Sequence, residues 1–508
     1  MEKHVVHLVN FVRGCEPRHE NFDLYTPVVE EIKVNKQFNF KSTFLLQYDA
    51  LIRDEYQKLF LAERDENLEL GLWFEMGRPL TEAVGIEWRG RPGYDWDWYV
   101  NPGFLMAYTP LQRELIIDEA FRKFKEVFGE YPKVAGSWLL DSHSMAYMSE
   151  KYDMKAFCIC REQFAVDAYT LWGGYYNGGY FASKNNALCP AQSDLTKIKT
   201  PVFRMLGIDP IYGYDEYKRQ PNKGGCFTLE PGWPCGTDKT VSRWYFDEYF
   251  KNPCGAYAHV TTGQENSFGW FQLGTGYCVQ AEIIDQMTKA GELALETLGE
   301  TGEKFAAAFD TTPATALSAF TDWSDHGFQS IWFCCQNYRC NLFREPDGKL
   351  FFRDINKFDD RYAERYLATP CTAWDARYDN LPVVDNRIWT TEEAGECALT
   401  FLSAIEPMKP EDLAENADGT MTLTVRFTNG TTGKIHLMEE GIGFESCGAL
   451  DYTVGKPEGD LCVCDNTLYF VHNHYAYEVP VKAEVSKIEG GYRLSPENGT
   501  VALKLNVR

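Results

Sequence analysis

From Met1 to about residue 275 the apolar positions come in short runs of β-branched and aromatic residues. Each run is followed by a polar loop and then by a longer stretch with helical spacing. A parallel sheet with crossover helices produces this alternation, because a strand covered on both faces reads as a continuous apolar run and its return path is an amphipathic helix. Seven runs qualify: His4 to Val12, Ser42 to Tyr48, Leu68 to Phe74, Val134 to Leu140, Lys155 to Cys160, Val202 to Ile208 and Ala256 to Thr262. The clearest helix lies between the third and fourth. Thr109 is placed to cap it, Pro110 to occupy its first turn and Gln112 to complete a capping box. Leu111, Leu115, Phe121, Phe124 and Phe128 form an approximate 3.6-residue stripe that stops at Gly129 and Pro132.

Past Tyr277 the pattern changes. A polar helical stretch interrupted by Gly291, Gly299 and Gly302 gives way to alternating segments joined by hairpin signals at Pro346-Asp347-Gly348, Asp418-Gly419, Asn429-Gly430 and Asn498-Gly499. The predicted fold class is therefore α/β: a (β/α)7-type barrel with trailing helices over residues 1–320, then a C-terminal all-β sandwich over 321–508. The boundary falls near 310–325.

Composition narrows the partners. The 508 residues carry 50 Lys and Arg against 74 Asp and Glu, a formal net charge of −24. Such a surface repels phosphate backbones and anionic lipid, so neither nucleic acid nor membrane is expected, and a neutral small molecule or oligosaccharide suits it better. A homo-oligomer is left open. No run approaches the roughly 20 apolar residues of a spanning helix, and Met1 to Asn10 has no apolar leader core. The expected location is cytoplasmic unless a leader has been removed, and the 16 cysteines, lacking a CxxC ladder, are expected as reduced core thiols.

In a parallel barrel the loops converge at the C-terminal ends of the strands, so reactive groups are sought just past each run. Those positions hold Arg13, Cys15 and Glu16; Gln47, Tyr48 and Asp49; Glu75, preceded by Trp73; Asp141 and His143; Glu162 and Asp167; Asp209, Tyr212 and Asp215; and Gln264 and Glu265. Aromatic clusters accompany them, with Tyr94, Trp96, Trp98 and Tyr99 after the third strand, Trp172, Tyr175, Tyr176 and Tyr180 after the fifth, and Trp270 after the seventh. Glycoside chemistry needs this combination: one carboxyl to protonate the leaving oxygen, one carboxylate to attack the anomeric carbon or activate water, and flat apolar faces for sugar rings.

The segment Ser137 to His143, Ser-Trp-Leu-Leu-Asp-Ser-His, resembles the fourth-strand segment of the seven-stranded (β/α) barrel glycosidases, the α-mannosidase and α-glucan-acting families thirty-eight and fifty-seven. Thr262 to Trp270, Thr-Gly-Gln-Glu-Asn-Ser-Phe-Gly-Trp, is similar to the seventh-strand motif of the glucan-acting family, with Asn266 where that motif often has Glu. The chain also resembles an uncharacterised bacterial family of the same glycoside hydrolase/deacetylase superfamily. The resemblance covers about residues 1 to 275. It implies a retaining glycoside hydrolase with Asp141 as nucleophile and Glu265 as acid/base; the lack of metal-ligand spacing among the histidines makes metal independence and no cofactor the expectation. Glu75 replaces either or binds substrate with Arg13, Gln47, Trp73, Trp96, Trp98, His143, Glu162, Trp172, Tyr212 and Trp270. Asp141 is equally placed to cap the helix that starts at Ser142.

Two other readings stand beside it. A metal-dependent carbohydrate deacetylase shares the barrel type, but it needs an Asp and two His at short spacing, and the nine histidines include no HxxxH or HxxxxH pair. A non-catalytic carbohydrate-binding protein would use the same rim aromatics.

Overall fold

The computed structural model describes residues 1–16, 22–166, 169–176, 178–205, 207–215, 228–378, 380–387, 395–455 and 460–506. Seven parallel strands, all within the seven apolar runs, form the body of the first sheet: β1 (His4–Val12), β2 (Ser42–Leu46), β3 (Leu68–Trp73), β4 (Val134–Ser137), β5 (Ala156–Cys160), β6 (Val202–Met205) and β7 (Ala258–Thr262); the short segments Gly179–Tyr180, antiparallel to β6, and Ala294–Leu295, parallel to β1, are added to it. The order of the seven is β7-β1-β2-β3-β4-β5-β6. The sheet curls into a nearly closed barrel, and His259 of β7 reaches the Arg204 carbonyl of β6 at 3.0 Å across the remaining seam.

Successive side chains of a strand point to opposite faces, and the ring contacts show which set points inward. On β1 it is His7, Val9, Phe11 and then Arg13: Phe11 stacks on Trp73 of β3 at 4.3 Å and meets Trp138 beyond β4 at 5.1 Å, while His7 lies 5.6 Å from His259. The interior is thus filled by side chains in layers, a packed core and not a pore. Gly136 is required there, since a Cβ would come within 2.4 Å of Cys158 Sγ and 3.1 Å of the Trp73 ring. His7 and His259 form the floor. Burial lowers the pKa of both, that of His259 to about 4, so they pack as neutral rings.

Helices α1 (Tyr25–Phe38), α2 (Pro110–Phe128), α3 (Ser142–Tyr152) and α4 (Trp270–Lys289) cover the outside. The α2 capping box forms as the sequence predicts, between Thr109 and Gln112. Its buried stripe is different: Arg113, Ile116, Ile117, Ala120, Phe121, Phe124 and Phe128 face the barrel, whereas Leu111 and Leu115 are exposed. The cap sets the helix phase, and at 100° per residue the two leucines share the face opposite Ile117 and Phe124.

Where α1 packs on α4, Glu31 is fully buried, and neither carboxyl oxygen has a hydrogen-bond partner among the described residues. Burial alone pushes its pKa well up. Glu31→Leu should therefore raise stability by about 1–3 kcal/mol, the cost of an unsatisfied buried polar group. A urea midpoint at pH 8 no higher than that of wild type would refute this.

The chain then builds two antiparallel sheets. The first begins with β8 (Thr315–Ala319), β9 (Gln329–Cys334), β10 (Tyr338–Arg344) and β11 (Leu350–Lys357), and the second spans Leu413–Glu415 to Thr500–Lys504. They pack face to face as a sandwich, with Phe352 of the first sheet against Phe444 of the second. The hairpin signals fall at turns. Asn498 and Gly499 both have positive φ, as a tight two-residue reversal requires. Among the described residues no helix is long and apolar enough to cross a membrane.

Candidate active site

Arg13 and Glu75 lie two residues past the inward-facing Phe11 and Trp73, Glu265 lies three residues past the end of β7, and the three side chains meet. The Arg13 guanidinium holds Glu75 through two parallel contacts, Nε to Oε2 at 2.9 Å and Nη2 to Oε1 at 2.8 Å, while its Nη1 meets Glu265 Oε1 at 2.7 Å. Burial opposes the Arg13 charge, but Glu265 and Glu75 outweigh it and carry its pKa well above the ordinary arginine value.

Neighbours fix the cluster. Trp73 Nε1 donates to Glu75 Oε2 at 2.8 Å, Gln47 Nε2 to the Glu75 carbonyl at 3.3 Å, and Arg13 Nη1 to Ser267 Oγ at 3.0 Å, with the Ser267 hydroxyl donating on to Glu265. The Trp96 ring lies 4.2 Å from the guanidinium carbon. Asn266 clips the two loops together, its amide donating to the Arg13 carbonyl and its carbonyl oxygen accepting from the Arg13 N–H, each at 2.9 Å. Arg13, Glu75, Glu265 and Trp96 are all under 5% exposed. Beside them a cleft of about 360 Å³ is lined by Gly14, Cys15, Glu16, Tyr25, Arg53 and Tyr56.

Of the residues singled out from the sequence, Arg13, Gln47, Trp73, Glu75, Trp96 and Glu265 therefore meet, and Trp98 lies next to Trp96 at 6.1 Å. The others lie elsewhere. Asp141 caps α3: its Oδ1 accepts from the Ser144 N–H at 3.0 Å and from Arg113 Nη1 at 2.8 Å, and its Oδ2 from the Ser144 hydroxyl at 2.7 Å. Glu75, and not Asp141, shares the Arg13 guanidinium with Glu265. His143 pairs with Glu114 between α2 and α3. Glu162 is held by Arg339 of β10, Trp172 lies under Arg387, and Tyr212 bonds Asp322 and Ser324. Trp270 opens α4, and Asp167 lies outside the described residues. Ser267 and Asn266 were missed, although both stand within two residues of Glu265.

The second sheet system reaches back over the barrel. In the segment between β11 and Leu381, Glu364 accepts the Ser142 N–H at 2.9 Å and the Ala187 N–H at 2.7 Å. Burial, aided by the Asp141 charge, pushes Glu364 up to about 7, and burial likewise takes Asp209 up to about 7. For such a group the folded state binds the extra proton, so its stabilisation is complete below the unfolded pKa of about 4.3 and is lost as pH rises through about 7. His7 and His259, neutral when folded, act in the opposite sense below about pH 6.5, so the carboxyl contribution is isolated by difference. Relative to wild type, Glu364→Gln should gain stability as pH rises from about 5 to 8, by about 1.4 kcal/mol per unit of pKa shift. A difference in denaturation midpoints that is flat across that range would show that Glu364 does not titrate there.

The superfamily named by the resemblance includes metal-dependent deacetylases. Among the described residues no group of three or more His, Cys, Asp or Glu could hold a metal, and His7 and His259 lie at the barrel floor, away from the carboxylates at its mouth.

No protein-family model matches the chain, and no curated protein does. Among solved structures, the chain is similar to one from Parabacteroides distasonis described as a candidate glycoside hydrolase/deacetylase. Identity is 13%, the match covers 73% of this chain and 90% of that one, and the TM-score is 0.53. More distant likenesses are to a candidate polysaccharide deacetylase from Mycobacterium smegmatis (13% identity, 60% and 91% covered, TM-score 0.36) and to Puue allantoinase (12%, 61% and 92%, TM-score 0.35). The chain thus shares a barrel fold with the Parabacteroides distasonis protein, and in this chain a β-sandwich follows the barrel. At this identity the likeness extends to the fold alone.

Proposed function

We propose that the protein is a metal-independent glycoside hydrolase in which Glu75 and Glu265 are the working carboxylates. The observation that carries this reading is their convergence on one guanidinium at the mouth of the barrel, ringed by Trp73 and Trp96. Glu75, held by two arginine contacts and the Trp73 indole N–H, is the group assigned to attack the anomeric carbon or to stabilise positive charge there. Glu265 meets Arg13 and accepts from the Ser267 hydroxyl. It is the group to protonate the leaving oxygen and afterwards take a proton from water. Arg13 and Trp96 position both.

Purified protein would be screened against aryl glycosides and acetylated sugars together, scoring released phenol and released acetate. Phenol release is expected, unaffected by EDTA and lowered by Glu75→Gln and by Glu265→Gln about 10³-fold or more, the scale of losing a group that acts in the transition state. Full activity in either variant removes that residue from the mechanism, and acetate release abolished by EDTA replaces the reading with a deacetylase.

The tight cover over the three charged side chains favours a second reading, a carbohydrate-binding protein without turnover. Saccharide binding with neither phenol nor acetate released would establish it.

A further inference from the structure

An aromatic track leads outward from Arg13. Trp96, 2% exposed, lies against the guanidinium at 4.2 Å; Trp98 follows at 6.1 Å, Tyr99 stacks on Trp98 at 6.0 Å, and Trp374 meets Tyr99 edge-on at 4.7 Å. Exposure grows along it, through the half-buried Trp98 and Tyr99 to Trp374, 52% exposed. The rings come from two distant parts of the chain, the loop after β3 and the segment between β11 and Leu381.

Both parts are held rigidly. Arg91 is bound through two contacts to the buried Asp97, at 2.9 and 3.0 Å, and lies over Trp98 at 3.9 Å and Tyr94 at 4.2 Å. The Val100 N–H donates to the Trp374 carbonyl at 2.8 Å, and Asn101 Nδ2 to the Thr372 carbonyl at 3.2 Å. Packing does not require Trp374, since half its surface stays in water. A large ring held rigid and half exposed, continuous with a polar centre, is instead suited to a ligand with an apolar face and a polar rim.

Resting on the glycoside hydrolase reading, we infer that Trp98, Tyr99 and Trp374 form a distal subsite for an extended neutral oligosaccharide whose reacting end lies at Glu75 and Glu265. The C–H faces of pyranose rings are apolar and slightly positive and stack on the negative faces of indoles and phenols. The exposed Asp375, next to Trp374, offers an acceptor for sugar hydroxyls, and an overall charge of −24 disfavours an anionic polymer. Small glycosides would fill only the inner end of such a track. The substrate class is therefore a polysaccharide or long oligosaccharide.

The test is affinity electrophoresis of the full chain in gels containing hydroxyethyl cellulose, soluble starch, glucomannan or xylan. At least one polymer should retard the wild type. Trp374→Ala should bind it about tenfold more weakly, as expected on losing one stacking contact, and Trp374→Phe should keep most of the affinity. Equal retardation of wild type and Trp374→Ala, or no retardation by any of the four, overturns the inference. The same gels run on Glu75→Gln keep the two proposals apart. If Glu75→Gln retains full turnover while binding still depends on Trp374, the catalytic assignment fails and the subsite stands. If turnover is lost in Glu75→Gln while Trp374→Ala binds normally, the subsite alone fails.

Discussion

Arg339→Met should destabilise the protein by about 3–5 kcal/mol, the cost of stranding buried charges by removing their partner. Arg339 lies on β10 with no solvent exposure and joins the two halves of the chain. Its Nε and Nη2 meet Asp354 at 3.0 and 2.9 Å, and its Nη1 reaches both Glu162 at the end of β5 and the Gly174 carbonyl. Burial raises the Asp354 pKa, and the arginine opposes that rise. Methionine fills a similar volume but leaves Asp354 without its arginine and Glu162 with Arg204, whose Nη2 lies 3.5 Å from Glu162 Oε2. The triple variant Arg339→Met, Glu162→Met, Asp354→Leu should recover part of the loss and not all of it, because removing Glu162 also takes the ion pair from the buried Arg204. Urea midpoints on the single and triple variants decide it. A single-variant loss under about 1 kcal/mol would show that the network contributes little to stability.

Arg13→Met should have a comparable effect on stability and a larger one on function. Without the guanidinium, two carboxylates in a site under 5% exposed lose the cation they share. Arg13→Lys separates charge from geometry. An ammonium restores the positive charge but cannot make the two parallel contacts to Glu75 together with the third to Glu265. It should return part of the stability and little of the saccharide turnover expected for the wild type. If Arg13→Lys restores turnover fully, the guanidinium geometry is not what organises the site.

The seven barrel strands were legible because each is a short apolar run bounded by polar loops, and the α2 cap because Thr109 and Gln112 stand three residues apart and bond each other locally. The convergence of Arg13, Glu75 and Glu265 was half legible. Inward and outward positions alternate along a strand, and Arg13 and Glu75 lie in phase with the core residues Phe11 and Trp73, whereas Glu265 lies in the loop past β7. Of the two places the sequence offered Asp141, the structure shows the helix cap: β4 ends at Ser137, Trp138 is the inward residue, and three positions later the chain has turned to start α3. There a short carboxylate finds the Ser144 N–H and hydroxyl within reach, and Arg113 arrives from α2 to complete the pair. The roles of Glu162, Trp172 and Tyr212 were not legible, because their partners Arg339, Arg387, Asp322 and Ser324 come from more than a hundred residues away.

By itself the sequence determined what depends on neighbours within a turn or a strand: where the strands and caps fall, where the hairpins reverse, and which side chains can face the barrel axis. Tertiary structure alone decided which of many rim carboxylates share a cation and which are spent on helix caps and on the junction between barrel and sandwich. An ion pair between distant segments leaves no periodic trace in the chain, and burial, which sets the strength of that pair, exists only once the segments have met.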